Sequence, residues 1–279
     1  MLIVEWLNCC NFATLINNNI MKTIRHILCL ALLSIGLKMS AQIVAPEPIA
    51  GKAPTKDYIT QNLVYPEADL QQGNSGKVVV RLNVDTDGRG SNYKVTSSFS
   101  EAASPIALDL VKTILWKPAL RSGLPIEYDM NYEIDFNAKS YKRYWKRHER
   151  FVPPLALEAD TSYEIHENRH LDQVARPYFS DGKTIAQYIA TNLKYPPEAK
   201  EREIQGTVRL SFVVEKNGSV SNIVVVNSVG GGCDNEAVRL IQETVWLPAE
   251  KNGKYVRSHN MQDITFSIGS RNFQDGNSY

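Results

Sequence analysis

The sequence repeats itself at a fixed offset of 130 residues, and this repeat constrains the fold more than any other feature. A single register without a gap relates the two copies. The recurring pairs include Tyr65-Pro66 with Tyr195-Pro196, Gly88 with Gly218, Trp116 with Trp246, Pro118 with Pro248, and Ile134 and Phe136 with Ile264 and Phe266. Periods of about 20 to 50 residues are typical of solenoids, whereas a period this long indicates two copies of a small domain.

The residues of one copy predict a helix, a hairpin, a second helix and a third strand. A short helix ends before Tyr65-Pro66, because the residue preceding a proline is disfavoured in the helical region. Apolar and polar residues then alternate over residues 78–85, which indicates a strand with one buried face, and Asp87-Gly88 is typical of a hairpin turn. Over residues 107–114 the apolar period changes to that of an amphipathic helix, which ends at Trp116-x-Pro118.

The predicted fold class is α+β: two tandem small two-layer sandwiches, each a three-stranded antiparallel sheet with two helices on one face. Such a sheet has two unpaired edges, which proteins either protect or use for pairing with another strand. The predicted domains are residues 42–137 and 177–270, joined by a connector at 138–176.

The first 41 residues have the pattern of a secretory signal peptide. Lys22 and Arg25 precede an apolar run at 27–37, and small residues follow as far as Ala41. The run is shorter than the roughly 20 apolar residues that span a bilayer. We therefore expect cleavage before Gln42 and export to the periplasm, with an uncleaved inner-membrane anchor as the alternative. Residues 1–20 are interpreted as a mis-assigned start.

Composition is that of an ordinary soluble protein, 43% hydrophobic and 22% charged with a formal charge of +1. This balance does not point to a nucleic-acid partner. The sequence contains neither a Gly-rich phosphate loop nor a nucleophile elbow. We therefore predict a protein that is not an enzyme and that needs no cofactor.

The combined motifs resemble the C-terminal domain of TonB, the periplasmic energy transducer of Gram-negative bacteria. The resemblance rests on Tyr-Pro, Gly-x-Val before an alternating strand, (Asp/Asn)-Gly, Trp-x-Pro-Ala and a final strand with an apolar end, and it occurs in both copies. It implies binding rather than chemistry, because TonB-like domains pair the TonB-box peptide of an outer-membrane transporter with the edge of their sheet. The implied function is periplasmic peptide capture linked to energised transmembrane transport. The implied partners are a TonB-dependent transporter and, beyond it, inner-membrane energising proteins or a second copy of the chain.

By position, the resemblance implies that the peptide-binding edge is the last strand, Arg257 to Phe266 in the second copy and Glu127 to Phe136 in the first, and the polar residues of the second copy favour that copy. Ser258, Asn260 and Gln262 are polar where the first copy has Tyr128, Met130 and Tyr132. We therefore expect both faces of this segment to be mostly wet, so that burial specifies its register weakly and it can accept a partner strand. The candidate binding residues are Arg257, Ser258, His259, Asn260, Met261, Gln262 and Asp263.

One motif suggests a different function. The stretch from His166 to His170 reads H-E-x-x-H, which on a helix places two histidines on one face to bind Zn²⁺. The flanking residues lack the apolar face that a buried helix needs, so we predict that no metal binds. A zinc peptidase remains an alternative function, and a self-associating periplasmic scaffold is another.

The connector begins with a basic stretch that also contains aromatic residues. Export argues against nucleic acid as its partner, so we expect a solvated linker or a contact with an acidic surface. The last strand of the first copy presents such a surface, where like charges would repel one another. The basic residues are Lys139, Lys142, Arg143, Lys146, Arg147 and Arg150, the aromatic residues are Tyr141, Tyr144 and Trp145, and the acidic residues are Glu127, Asp129, Glu133 and Asp135.

Overall fold

In the computed structural model, which describes residues 43–148 and 153–269, each copy is an antiparallel sheet with helices on one face. The predicted α+β fold class is confirmed. No helix among the described residues is long and apolar enough to cross a bilayer. The predicted signal peptide at 1–41 lies outside the described residues.

The elements follow the same order in both copies. The first copy and the connector contain β1 (Ile43–Val44), β2 (Glu47–Pro48), α1 (Lys52–Asn62), α2 (Glu67–Gln72), β3 (Gly76–Val84), β4 (Gly90–Ser98), α3 (Ala103–Thr113), β5 (Trp116–Lys117), β6 (Ala119–Arg121), β7 (Leu124–Ile126), β8 (Tyr128–Phe136), α4 (Ala138–Arg147), β9 (Ile165–His166) and the 3-10 turn Asn168–His170. From there the chain forms β10 (Arg176–Pro177), α5 (Ile185–Asn192), α6 (Pro197–Glu201), β11 (Gly206–Val214), β12 (Val220–Asn227), α7 (Cys233–Glu243), β13 (Trp246–Leu247), β14 (Ala249–Lys251) and β15 (Lys254–Phe266). Residues 45–120, 125–148 and 153–269 belong to one compact unit, and Ile43–Val44 groups with Arg121–Leu124 in another.

The central strand of each sheet is the first strand of the predicted hairpin. The strand order is β4-β3-β8 in the first copy and β12-β11-β15 in the second, with antiparallel pairing throughout. The second sheet is larger, because β14 and β9 also pair with β15. The two copies therefore share a core topology but differ at the outer edge of the last strand.

The alternation in the sequence places one side of each central strand in the core. Val78, Val80, Leu82 and Val84 in β3, and Val208, Leu210, Phe212 and Val214 in β11, are all at most 1% exposed. Burying an aliphatic or aromatic side chain of this size contributes roughly 1.5–3 kcal/mol. The helices α3 and α7 also contribute buried apolar residues, because Ala107 and Ala237 are fully buried at equivalent positions.

The repeated glycine and tryptophan meet in each copy. Gly88 and Gly218 have φ of 81° and 83°, and a Cβ placed on either would lie only 2.0 or 2.2 Å from the carbonyl oxygen of Trp116 or Trp246. The amide nitrogen of each tryptophan donates to the carbonyl of its glycine. Both tryptophan side chains are buried, at 2% and 4% exposed. The hairpin turn must therefore be glycine both for its backbone conformation and for space.

Tyr65 and Tyr195 also have matching roles. The hydroxyl of Tyr65 donates to the carbonyl of Asn74, and that of Tyr195 to the carbonyl of Ile204. Each bond closes the loop that contains α2 or α6. The sequence pattern did not predict these two helices. These helices have only six and five residues, too few to show an apolar period. They follow Pro66 and Pro196, and acidic residues in their first turns stabilise them by interacting with the positive end of the helix dipole.

The first copy packs against the second through polar contacts at the ends of its helices. The side chain of Asn222 in β12 accepts from the amide of Leu115 at 2.8 Å and donates to the carbonyl of Thr113 at 2.9 Å. The side-chain amide of Asn217 donates to Asn62 at 3.0 Å. Thr113 ends α3, so a side chain of the second copy satisfies a helix-terminal carbonyl of the first.

Candidate functional site

The predicted peptide-binding strand lies in β15, and its outer edge is divided into two parts. On one side, β15 pairs with β11 from Ser258 opposite Val214 to Phe266 opposite Gly206. On the other side, β14 covers residues 254–256, and β9 pairs in parallel with Arg257 and Ser258. In the described part of the chain no strand pairs with residues 259–266 on that side. The available edge is therefore shorter than the predicted one.

Arg257 is a structural residue in the junction between the two copies. It is 2% exposed, and its guanidinium donates to both carboxylate oxygens of Glu215, at 2.8 Å each. It also donates to the carbonyl of Tyr163 in the connector at 2.7 Å and to that of Thr113 in the first copy at 2.8 Å. One side chain therefore joins the first copy, the connector and the second copy.

The expectation that both faces of the segment are wet is wrong for two of its polar residues. Ser258 is fully buried and Asn260 is 7% exposed. The side-chain amide of Asn260 donates to the carbonyl and to the hydroxyl of Ser258, at 3.1 and 3.0 Å. The polar side chains satisfy one another inside the protein, so polarity in the sequence did not mean exposure.

The remaining predicted residues lie where β15 has its open edge. Met261 is 52% exposed, and the imidazole Nε2 of His259 lies 2.7 Å from the hydroxyl of Ser211. Asp263 accepts two hydrogen bonds from Arg209, at 2.7 and 2.8 Å. These bonds hold the pKa of the Asp263 carboxyl below its usual range. Asp263 therefore stays ionised and is already neutralised by its own sheet.

A groove runs beside this open edge, between α5 and β15, with a volume of ≈ 810 Å³. The helix contributes apolar side chains, including Ile185, Ile189 and Leu193, and small ones at Ala186 and Ala190. The strand contributes residues 262–265, and Lys194 and Lys200 are also part of the lining. An exposed strand edge therefore lies next to an apolar depression. The sequence motifs indicated the strand but not the helix face beside it, although the apolar spacing of residues 185, 189 and 193 was the available signal.

The first copy fills the equivalent groove with its own residues. The ring of Tyr141 in α4 lies 5.2 Å from that of Tyr65, and Leu63 and Tyr65 are buried at 5% and 4% exposed. Their equivalents in the second copy, Leu193 and Tyr195, are only partly buried. In addition, Tyr132 of the first copy packs against Trp116, with the ring centres 5.1 Å apart, at the position of Gln262. Within the described residues, the groove is open in the second copy and closed in the first.

The H-E-x-x-H stretch does not form the helix on which its zinc chemistry depends. His166 lies in β9 and is 7% exposed, and the stretch continues as the 3-10 turn Asn168–His170. The two histidines therefore do not project from one helical face. Between residues 43 and 148 and between 153 and 269, no group of three or more His, Cys, Asp or Glu residues could hold a metal ion.

The acidic surface of the first copy is partly compensated within its own sheet. Lys77 in β3 lies 2.6 Å from Glu133 and 3.9 Å from Asp135. Arg81 lies 2.7 Å from Asp129. These cross-strand ion pairs supply two of the cations that the like charges of this surface call for, and none of the ion pairs described there involves the basic stretch of the connector.

Comparison with known proteins identifies the same two segments. The family model described as the Gram-negative bacterial TonB protein C-terminal matches residues 61–138 and 191–268. No curated protein matches the chain.

Solved structures of TonB C-terminal domains are also similar. Two solution structures from Helicobacter pylori share 20% and 26% identity, cover 30% and 31% of this chain and 89% and 78% of their own, and have TM-scores of 0.24 and 0.26. One from Pseudomonas aeruginosa shares 23% identity, covers 39% of this chain and 99% of its own, and has a TM-score of 0.28.

Proposed function

This chain belongs to the TonB C-terminal domain family, and we propose that its second copy captures an extended peptide of a TonB-dependent outer-membrane transporter. Domains of this family are non-catalytic interaction modules of the Gram-negative periplasm. In this proposal the peptide adds as a strand to the edge of β15 and so links the protein to energised transport across the outer membrane.

The observation that supports this assignment is the open edge beside the groove. An added strand gains main-chain hydrogen bonds from the edge, and alternate side chains of the peptide determine selectivity. Ile264 is buried and Thr265 is exposed, so neighbouring side chains of β15 point to opposite faces. A guest strand beside them would direct every second side chain towards α5, where Ile189 and Leu193 provide an apolar surface.

The difference between the two copies supports the second copy as the binding one. Both last strands have an outer edge, but α4 fills the groove of the first copy with Tyr141. A peptide on β8 would have to displace a folded helix, whereas a peptide on β15 has only to cover an exposed apolar groove. The peptide should therefore prefer the second copy, because binding to the first copy also costs the free energy of displacing α4.

The test fills the groove without altering the strand. Ala190 lines the groove and is exposed, so Ala190→Trp should occupy the space of the peptide's side chains and reduce capture of a TonB-box peptide at least tenfold. Thr191→Trp is the matched control, because Thr191 is the next residue of the same helix, is exposed and does not line the groove. It should leave capture unchanged. Fluorescence anisotropy with a labelled peptide measures both variants, and circular dichroism confirms that they are folded.

A proline scan over residues 259–266, the part of the outer edge that no described strand covers, tests the strand itself. Proline at a position whose N–H points outward removes one intermolecular hydrogen bond while leaving the fold mostly intact. Undiminished capture by every folded proline variant and by Ala190→Trp would exclude β15 as the site. Concentration-dependent self-association without peptide capture would then favour the scaffold.

A further inference from the structure

The connector helix α4 presents a continuous row of positive charges. Lys139, Lys142, Arg143, Lys146 and Arg147 follow the spacing i, i+3, i+4, i+7, i+8, which places them along one side of a helix. We call these five residues the cationic stripe. All five are exposed, while Tyr141, Tyr144 and Trp145 between them are partly buried. The ten-residue helix makes the stripe about 15 Å long.

The helix is held in place independently of these charges. The side chain of Asn137 caps its first turn by accepting from the amide of Ser140 at 2.8 Å, and the amide of Ala138 donates to the hydroxyl of Ser75 at 3.0 Å. Tyr141 packs on Tyr65. The aromatic side of α4 therefore faces the first copy, and the stripe is presented by a helix that is already folded.

The stripe has no acidic counterpart in the part of the chain that the structure describes. None of its five cations lies within ion-pair distance of a carboxylate there, whereas exposed cations on both sheets, such as Lys77, Arg81 and Arg209, each have one. The ion pairs described for the acidic surface next to it in sequence are formed by Lys77 and Arg81, not by the stripe. With a formal charge of only +1 for the whole chain, five positive charges on ten residues make a strong local asymmetry.

Helix stability accounts for only part of this pattern. Lys146 and Arg147 lie in the last turn, where a cation stabilises the negative end of the helix dipole. Lys139 lies in the first turn, where the dipole disfavours a cation, and that turn contains no acidic residue. The sequence thus maintains positive charge at a position where it opposes folding, which points to an external partner.

We propose that the cationic stripe docks the protein on an anionic phospholipid bilayer. A straight row on a convex helix fits a flat charged plane, since each long side chain can reach headgroups without a shaped pocket. The aromatic residues face the first copy, so the contact is electrostatic rather than insertive. Each Lys or Arg near such a surface increases partitioning roughly fivefold, and salt weakens the effect. The site is separate from the proposed peptide groove.

Sedimentation of the chain from Gln42 to Tyr279 with vesicles tests the proposal. The protein should sediment with vesicles of phosphatidylcholine mixed with phosphatidylglycerol, remain in solution with phosphatidylcholine alone, and be released by added salt. The stripe variant replaces all five cations with glutamine and should bind at least tenfold less. The matched control replaces five exposed lysines elsewhere with glutamine and should bind within a few fold of the wild type. Its positions are Lys52, Lys94, Lys117, Lys183 and Lys254.

A charge-reversing variant separates loss of binding from loss of folding. Lys139→Glu and Lys142→Glu together place acidic residues towards the start of α4, where the first of them should stabilise the helix. Binding to the anionic vesicles should nevertheless be lost. Three outcomes would overturn the proposal: no sedimentation of the wild type with anionic vesicles, equal sedimentation with neutral ones, or an equal loss in the matched control. Binding of soluble polyglutamate but not of vesicles would assign the stripe to an acidic protein instead.

Discussion

Replacing Arg257 with methionine should destabilise the whole protein by about 3–5 kcal/mol, the usual result of removing one partner of a buried ion pair. The structure shows why the value should be large. The carboxylate of Glu215 is 4% exposed, and without Arg257 it retains only the hydroxyl of Ser221 as a hydrogen-bond donor among the contacts described. Methionine keeps the aliphatic stem of arginine but lacks the atoms of its guanidinium, so the space that they leave contributes to the loss in any variant that carries this substitution.

The double variant Arg257→Met with Glu215→Leu isolates the charge effect. With both charges absent, the remaining cost is mainly that of the two carbonyls that Arg257 bonded. The carbonyl of Thr113 still accepts a hydrogen bond from Asn222, whereas the carbonyl of Tyr163 loses the donor described for it. At about 1 kcal/mol for each lost hydrogen bond, the double variant should lose only about 1–2 kcal/mol. The double variant should then be about 1–4 kcal/mol more stable than the single one, and measuring Glu215→Leu alone completes the cycle that gives the coupling energy of the pair.

Urea unfolding followed by circular dichroism and by tryptophan fluorescence measures these energies and also shows whether the copies unfold together. Because Arg257 joins the first copy to the second, wild-type protein should give one coincident transition with both probes. The single variant should shift that transition or divide it in two. A loss below about 1 kcal/mol for Arg257→Met, or a double variant no more stable than the single one, would refute the assignment of Arg257 to the junction.

Four further outcomes are expected. Trp116→Ala and Trp246→Ala should each cost about 3–5 kcal/mol, and an unchanged melting temperature in either would show that the residue does not anchor its copy. Gly218→Ala should destabilise more than Gly253→Ala, since both glycines have positive φ but only at Gly218 would the new Cβ meet a carbonyl oxygen at 2.2 Å. Equal losses in denaturant titration would mean that backbone strain alone decides. N-terminal sequencing of protein from its native host should begin at Gln42, and retention of Met1 or Met21 would disprove processing. Elemental analysis should show no stoichiometric zinc, and zinc lost in His166→Ala or His170→Ala would restore the peptidase alternative.

The repeated motifs were sufficient to predict the three-stranded sheet and the two longer helices of each copy, because their interactions are local in sequence or lie within one small domain. Alternation over residues 78–85 determined which side of β3 is buried, and proline determined where the first helix ends. Gly88 and Trp116 recurred together because the turn and the tryptophan backbone are in direct contact. Periodicity, turn chemistry and the spacing of large residues all act over short distances, so they are visible in one sequence.

The division of the outer edge of β15 could not be predicted in this way. Polar residues in this strand indicated exposure, yet Arg257, Ser258 and Asn260 are buried. The first copy and the connector accept hydrogen bonds from Arg257, and Asn260 donates to Ser258. Likewise, nothing local distinguishes Leu63 from Leu193, and among the described residues the packing of α4 covers one groove and no equivalent segment covers the other. Local patterns in the sequence determined the two folds. The tertiary structure decided which edge is available, because availability depends on segments far away in the chain that bury one site and leave its equivalent uncovered.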